Sequence, residues 1–164
     1  MSELVERVDE QDRVLGVVDR AEAIRRKWPH RVATVLCRDP RGRVLVHRRP
    51  ENAARFPGQY HWLLGGAVGV GESYAAAAGR ELEEELGVRA PVRFLLTFLC
   101  DGVISPYWLG LYETVIDPDV TPDPAEVAWH AWIPESGLGE ALERWCAVPD
   151  GLEVYRRYSA LPAR

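Results

Sequence analysis

The sequence has no long hydrophobic run, no apolar stretch near its start and no pattern of paired cysteines. No segment approaches about 18 uninterrupted apolar residues, so a membrane-spanning helix is not predicted. The first residues carry charge from Glu3 onward, which predicts no signal peptide. Three cysteines, Cys37, Cys100 and Cys146, are widely spaced and odd in number, and therefore indicate neither a metal-binding pair nor a disulfide framework. These absences favour a cytoplasmic protein in a reducing compartment.

An excess of positive charge is also lacking. Lysine and arginine total 20 against 25 acidic residues, and the formal net charge is −5. Such a chain has no broad basic surface, so it is not expected to bind a nucleic-acid polymer. A small phosphorylated substrate is still compatible with this charge if divalent cations lie between protein and phosphate. The length of 164 residues, without repeats or low-complexity tracts, predicts a single domain over 1–164.

The hydrophobic pattern alternates between strands and helices. Residues 1–28 are expected to form an N-terminal hairpin, 4–8 with 14–18, and a short helix that Asp19 caps and Pro29 stops. The segment 31–37 is β-branched and almost continuously apolar, as in a strand that is buried on both faces. Further strands are predicted at 44–47, 92–99, 107–116 and 127–133, with helices at 73–86, after Pro134 and over 150–164. This arrangement is typical of an α/β sandwich around one core.

Three carboxylates share one side of the predicted 73–86 helix. Glu81, Glu84 and Glu85 stand at i, i+3 and i+4, a spacing that brings their side chains together. Closely spaced carboxylates repel one another, but they supply the oxygen ligands that a hard cation such as Mg²⁺ requires. Arg80, four residues before Glu84, is expected to orient a carboxylate through a charge-assisted hydrogen bond. A charge run of this kind is also typical of a solvated helix face, so the spacing alone leaves both interpretations open.

A longer pattern of glycine, arginine and glutamate surrounds these carboxylates. It consists of Gly66, five residues, Glu72, seven residues, Arg80-Glu81-Leu82, one residue, Glu84-Glu85, one residue and Gly87-Val88. Its fixed residues would coincide by chance on the order of once in 10⁸ windows. The pattern resembles the complete Nudix box. The resemblance implies a Nudix α/β/α sandwich with a mixed sheet, a loop-helix-loop box at 66–88, and a bound Mg²⁺ or Mn²⁺. It also implies hydrolysis of a diphosphate linkage in a nucleoside diphosphate derivative or a related organic diphosphate, by attack of water at phosphorus.

The same resemblance implies roles for individual residues. The family's metal ligands correspond here to three carboxylates and one backbone carbonyl: Glu81, Glu84, Glu85 and the carbonyl before or at Gly66. Arg80 corresponds to the arginine that positions the first of these carboxylates. Glu72 corresponds to the glutamate that supports the loop and sometimes joins the metal shell. The general base varies in this family; Glu126 is the leading candidate and Asp123 the weaker one, while an exposed loop acid is the alternative interpretation of Glu126.

The resemblance extends over roughly 4–133 to the branch that contains isopentenyl-diphosphate isomerases. The segments that carry it are the N-terminal hairpin and the stretches HRVATV, VLVHRRP, FPGQYHWLLGG and AEVAWHAWIP. A true isomerase has a catalytic cysteine directly before the box glycine, whereas that position is Gly65 here. Hydrolysis is therefore expected rather than isomerisation. A nucleotide-binding module without turnover is the other alternative, although the box has kept all its carboxylates.

Several residues outside the box are candidates for substrate contact. Arg48 and Arg49 end a predicted strand, where a guanidinium can grip phosphate, but a solvated surface position is the alternative. His61, with Tyr60 beside it, precedes the box, and packing is an equal alternative to substrate contact. The other histidines share no metal-binding spacing and receive no role: His30, His47 and His130. The expected partner is a small-molecule diphosphate, and a homodimer is a further expectation because many relatives of the family pair.

Overall fold

Two β-sheets and four α-helices form the architecture of residues 3–162, the part of the chain that the computed structural model describes. In chain order the elements are β1 Leu4–Val8, β2 Val14–Asp19, α1 Arg20–Arg26, β3 Arg31–Arg38, β4 Arg43–Arg48, β5 Tyr60–His61, β6 Leu64–Ala67, α2 Tyr74–Leu86, β7 Arg93–Cys100, β8 Tyr107–Val115, β9 Trp129–Pro134, a 3₁₀ helix Glu135–Gly137, α3 Leu138–Arg144 and α4 Pro149–Ser159. The predictions for residues 1, 2, 163 and 164 lie outside the described residues.

Strand β3 is the centre of a mixed sheet. It runs parallel to β8, from Arg31 beside Trp108 to Arg38 beside Val115. On its other side β3 pairs antiparallel with β6 along 32–35 and with β4 at Arg38. Strands β9 and β5 continue antiparallel from β4, and β7 lies antiparallel beside β8. The β1–β2 hairpin forms a separate two-stranded sheet, as the sequence predicts.

Side chains that alternate along the central strands build one core on each face of the sheet. On one face, Ala33 and Val35 of β3 pack with Leu82 of α2. On the other face, Leu36 of β3 belongs to the same core as Val154 of α4. Helices therefore flank the sheet on both sides, and the predicted α/β/α sandwich with a mixed sheet is confirmed.

The hairpin and α1 lie against the end of β6. Asp19 caps α1 by accepting hydrogen bonds from two backbone N–H groups of the first turn, as expected. The helix ends because Lys27 adopts a left-handed φ of 58°. The prediction that Pro29 stops the helix is therefore wrong, since the chain leaves the helical conformation two residues earlier. Val5 of β1 shares a small core with Ala67 of β6, which holds this unit beside the box.

Helix α4 packs on the sheet near the C-terminus. It begins at Pro149, a residue suited to the first helical turn because it needs no backbone hydrogen bond there. It ends at Ser159, so it is shorter than the helix predicted over 150–164. The rings of Tyr155 and Tyr158 contact Trp62, and their centroids lie 5.6 and 5.5 Å from the centroid of the Trp62 ring. Within residues 3–162, no helix is long and apolar enough to cross a membrane.

Candidate active site

Helix α2, which carries the predicted metal ligands, begins and ends at local capping signals. Ser73 accepts a hydrogen bond from the N–H of Ala76 at 3.1 Å. Gly87 adopts a left-handed φ of 69°, and its N–H donates to the carbonyl four residues earlier at 2.8 Å. The helix predicted over 73–86 is confirmed. Its buried residues are Ala77, Ala78, Leu82, Glu85 and Leu86.

The guanidinium of Arg80 joins the start of the box to this helix. Its Nε and Nη2 donate to the two carboxylate oxygens of Glu72, each at 2.9 Å, and Nη2 also donates to the carbonyl of Ala67 at 3.0 Å. Its Nη1 donates to Oε1 of Glu81 at 2.9 Å. Glu72 also accepts from the N–H of Gly69 at 2.9 Å, and its hydrogen bonds with Arg80 lower its pKa. Both oxygens of Glu72 thus support the loop, while Arg80 restrains Glu81.

Glu81 and Glu85 are the carboxylates that the fold withdraws from water. Glu85 is 8% exposed, and its Oε2 accepts a hydrogen bond from the N–H of Gly65 at 3.0 Å. Glu81 lies against Gly66, where an added methyl group would come within 2.3 Å of Oε1, so a side chain at this position would displace the carboxylate of Glu81. Burial raises the pKa of Glu81. Burial, followed by the charges of Glu81 and Glu126, raises the pKa of Glu85 well above its ordinary value.

The other predicted acids lie nearer to solvent. Glu84 is exposed on α2, with its carboxylate 3.4 Å from Nη1 of Arg80. Asp123 and Glu126 belong to the loop 116–128, and the N–H of Asp123 donates to the backbone carbonyl of Glu85 at 2.8 Å. That bond holds the loop against α2. In the described part of the chain, no three His, Cys, Asp or Glu side chains already form a group that could hold a metal ion. The five acids nevertheless line one cleft.

This cleft has a volume of roughly 750 Å³. Its lining includes the acids of the box and the following loop: Glu81, Glu84, Glu85, Asp123 and Glu126. Arg49 also lines it, with its Nε donating to the carbonyl of Arg55 at 2.8 Å. Arg48 does not line it; its Nε donates to the carbonyl of Gly58 at 3.0 Å and its guanidinium pairs with Glu51. Successive residues of a strand point to opposite faces, so the structure does not bring Arg48 into the cleft, in contrast to the prediction.

His61 lines the cleft, whereas Tyr60 does not. Nδ1 of His61 accepts from the N–H groups of the next two residues, at 3.0 and 3.3 Å. Burial, and then the nearby His47 and Arg49, lower the pKa of His61 to about 3, so the ring is neutral near pH 7. The neutral ring therefore carries its proton on Nε2, where it can donate. Tyr60 instead stacks on Trp145, with 4.8 Å between ring centroids.

The sequence reasoning missed two histidines and two arginines that line the same cleft. His30 and His47, to which no role was assigned, are both buried in its wall, and burial lowers the pKa of each to about 4. Arg20 and Arg55 also contribute to the lining. These four residues come from four separate segments, so no spacing in the sequence could have connected them.

Known proteins resemble this chain in both sequence and structure. The NUDIX domain family matches residues 28–158. An uncharacterized Nudix hydrolase of Streptomyces coelicolor is 46% identical over 161 residues, covering 96% of this chain and 89% of that protein. A prenyl-diphosphate phosphatase of Methanosarcina mazei is 34% identical, covering 77% of this chain and 72% of that protein. An isopentenyl-diphosphate Delta-isomerase of Nocardia farcinica is 37% identical, covering 79% and 78% of the two chains.

The structural comparison agrees with the sequence comparison. A crystal structure of a protein from Deinococcus radiodurans has a TM-score of 0.82 and 27% sequence identity, and the match covers 95% of this chain and 99% of that one. Nudix hydrolases cleave pyrophosphate-containing substrates and generally need divalent metal ions such as Mg²⁺ or Mn²⁺. The intact box, the sandwich and the match over most of the chain lead to one conclusion: the protein belongs to the Nudix hydrolase family.

Proposed function

We propose that the chain is a metal-dependent hydrolase that cleaves the diphosphate linkage of an organic diphosphate, such as a nucleoside diphosphate derivative, by attack of water at phosphorus. The observation that carries this proposal is the pair of carboxylates, Glu81 and Glu85, withdrawn from solvent in the wall of an open cleft. Burying carboxylates costs free energy unless a cation or hydrogen bonds offset their charge. Titratable groups perturbed in this way inside a cleft are typical of a functional site.

The residues of the cleft fit a divalent cation. Glu81, Glu84 and Glu85 offer hard oxygen donors, and the carbonyl of Gly65 or Gly66 can add another. Burial and then the charge of Glu81 raise the pKa of Glu85, and a bound cation would offset both effects. An all-oxygen donor set favours Mg²⁺ or Mn²⁺. When bound, the cation supplies neutralisation of the diphosphate charge and a lowered pKa for a coordinated water.

The protein's own side chains would bind and orient the diphosphate. Arg80 restrains Glu81 through Oε1 at 2.9 Å, which leaves Oε2 of that carboxylate available. Arg49 presents a guanidinium in the cleft, and arginine matches the geometry of phosphate oxygens. His61 adds a neutral Nε2–H donor, which can bind a phosphate oxygen without changing the charge of the site.

Glu126 is the proposed general base. It lies exposed in the cleft wall and is close enough to Glu81 and Glu85 for its charge to raise the pKa of both. A carboxylate in this place can take a proton from the water that attacks phosphorus and release it to solvent. Asp123 lines the same cleft and is the alternative base.

Hydrolysis fits this chain better than the isomerisation in the name of the Nocardia relative. Gly65 directly precedes the box glycine, and a methyl group there would lie 2.2 Å from the carbonyl oxygen of Ala33. The position therefore has no room for the cysteine side chain that the isomerase resemblance would require. The Methanosarcina phosphatase makes prenyl diphosphates the second candidate substrate class.

The test is a hydrolysis assay with Mg²⁺, Mn²⁺ or EDTA across nucleoside diphosphate derivatives, sugar nucleotides, dinucleoside polyphosphates and prenyl diphosphates. We expect phosphate or nucleotide release that requires the metal and that Glu85→Gln lowers by about 100-fold or more. The glutamine amide oxygen can still accept the N–H of Gly65, so this variant should keep its fold. Glu83→Gln is the matched control, because Glu83 is exposed on the same helix and pairs with Arg89 at 2.9 Å.

Two results would contradict the proposal. Equal activity of wild type and Glu85→Gln would show that the buried carboxylate does not serve the reaction. Tight binding of a nucleotide that is recovered unchanged, with no release from any substrate, would favour the non-catalytic binding module instead.

A further inference from the structure

His30 lies in the wall of the cleft, where the chain enters β3. Its side chain is 2% exposed, and its backbone carbonyl accepts a hydrogen bond from the N–H of Trp108 at 2.8 Å. The ring lies beside Tyr107, with centroids 6.4 Å apart and ring planes at 43°. The hydrogen bond fixes the backbone of His30 against β8, and burial encloses the imidazole in the cleft wall.

Neither ring nitrogen of His30 has a hydrogen-bond partner among the described residues. Buried polar groups are nearly always hydrogen-bonded, because an unpaired one loses its bonds to water without replacement. Burial, with smaller contributions from Arg20 and Arg55, lowers the pKa of His30 to about 4. The ring is therefore neutral near pH 7 and offers one donor and one acceptor.

The strand register gives the distance between His30 and the start of the box. Ala33 of β3 pairs with Gly66, the glycine that lies against Glu81. His30 precedes Ala33 by three residues, which corresponds to roughly 10 Å along a strand. His30 therefore lies in the same cleft at a distance that the organic part of a substrate can span when its diphosphate is held beside Glu81 and Gly66.

We propose that His30 is a specificity-determining residue that hydrogen-bonds a hydroxyl group on the organic part of the substrate. This inference rests on the proposed function. A hydroxyl can donate to the unprotonated ring nitrogen or accept from the protonated one, and either bond would give a partner to one of the two unpaired nitrogens. A prenyl chain would leave both nitrogens unpaired and would also cover the nearby guanidinium groups of Arg20 and Arg55. The protein should therefore prefer hydroxylated organic diphosphates, such as sugar nucleotides, over prenyl diphosphates.

The experiment measures kcat/KM with Mg²⁺ for ADP-ribose and other sugar nucleotides, and for dimethylallyl diphosphate. We expect His30→Phe to lower kcat/KM for the best sugar nucleotide by about 10- to 100-fold and to leave or raise the value for the prenyl substrate. His30→Gln, which keeps a donor and an acceptor, should recover part of the loss. His130→Phe is the matched control, since His130 lies on β9 outside the cleft lining.

The outcomes separate this inference from the proposed function. A wild type that hydrolyses only prenyl diphosphates, or a His30→Phe variant that loses activity equally on both classes, overturns the inference and leaves hydrolysis intact. A wild type that hydrolyses none of these substrates would overturn the proposed function. The ring ¹⁵N chemical shifts of His30 then test the proposed contact separately. A change in these shifts on adding ADP-ribose supports the contact, and unchanged shifts at saturating ADP-ribose overturn it. Thermal unfolding of each variant distinguishes the loss of a substrate contact, which leaves the melting temperature unchanged, from a folding defect, which lowers it.

Discussion

The position directly before the box glycine offers a test of how closely β6 packs on β3. Gly65 pairs with Thr34, and a methyl group added to it would lie 2.2 Å from the carbonyl oxygen of Ala33 and 2.9 Å from the Cα of Thr34. Both obstacles are backbone atoms of the central strand, so no rotamer change can relieve them. Ordinary contact needs more than 3 Å, so β6 would have to shift by roughly 1 Å. Overpacking of this kind costs about 1–3 kcal/mol, and we expect Gly65→Ala to fall at the upper end.

Gly79→Ala is the matched control for this substitution. Gly79 lies within α2 and has no atom within 4 Å of the place that a methyl group would occupy. Alanine restricts the unfolded chain more than glycine does, so Gly79→Ala should stabilise the protein by about 0.5–1 kcal/mol. Urea unfolding of the two variants should therefore show changes of opposite sign. A Gly65→Ala protein as stable as wild type would refute the packing argument.

The same contact bears on the isomerase alternative. Gly65→Cys places the isomerase side chain at the matching position, but its Cβ meets the same carbonyl of Ala33. We expect a destabilised protein that does not convert isopentenyl diphosphate into its allylic isomer. Product analysis that finds this conversion in a folded Gly65→Cys variant would contradict the assignment of this chain to hydrolysis.

The remaining predictions concern the cleft and the start of α2. Arg49→Ala should lower kcat/KM by about 10- to 100-fold by removing a charged phosphate donor, whereas Arg48→Ala, outside the cleft, should change it less than about 3-fold. Burial lowers the pKa of His47 to about 4 from an ordinary 6.5, so its contribution to stability is present above pH 6.5 and is lost as the pH falls toward 4. Between pH 7 and pH 5 the free energy of unfolding of the wild type in EDTA should therefore fall by about 2 kcal/mol more than that of His47→Gln. Urea unfolding at each pH measures the two values, and equal decreases would contradict a neutral buried His47. Ser73→Ala removes the cap that accepts from the N–H of Ala76 and should cost about 1 kcal/mol in thermal unfolding, with metal-dependent activity retained below the new melting temperature.

The sequence by itself determined the features that depend on neighbours along the chain. Ser73 and Gly87 are local signals for the ends of a helix, and α2 spans the interval between them. Asp39 and Gly42 are residue types typical of the ends of a type I turn, and the N–H of Gly42 donates to the carbonyl of Asp39 at 2.9 Å. The almost continuously apolar 31–37 segment indicated a strand buried on both faces, and this strand is the centre of the sheet. The spacing of the box was specific enough to indicate the family.

Only the tertiary structure decided which side chains meet and which of them lose water. The helical spacing places Glu84 and Glu85 on the same side of α2, yet Glu84 is exposed and Glu85 is buried beside Gly65. Arg48 and Arg49 are adjacent in sequence, but only Arg49 lines the cleft. The role proposed for His30 depends on the fold, because β3 places this residue roughly 10 Å along the strand from the box. Spacing fixes the direction of a side chain relative to its own helix or strand, whereas burial, pKa and contact depend on the surface that another part of the chain brings against it.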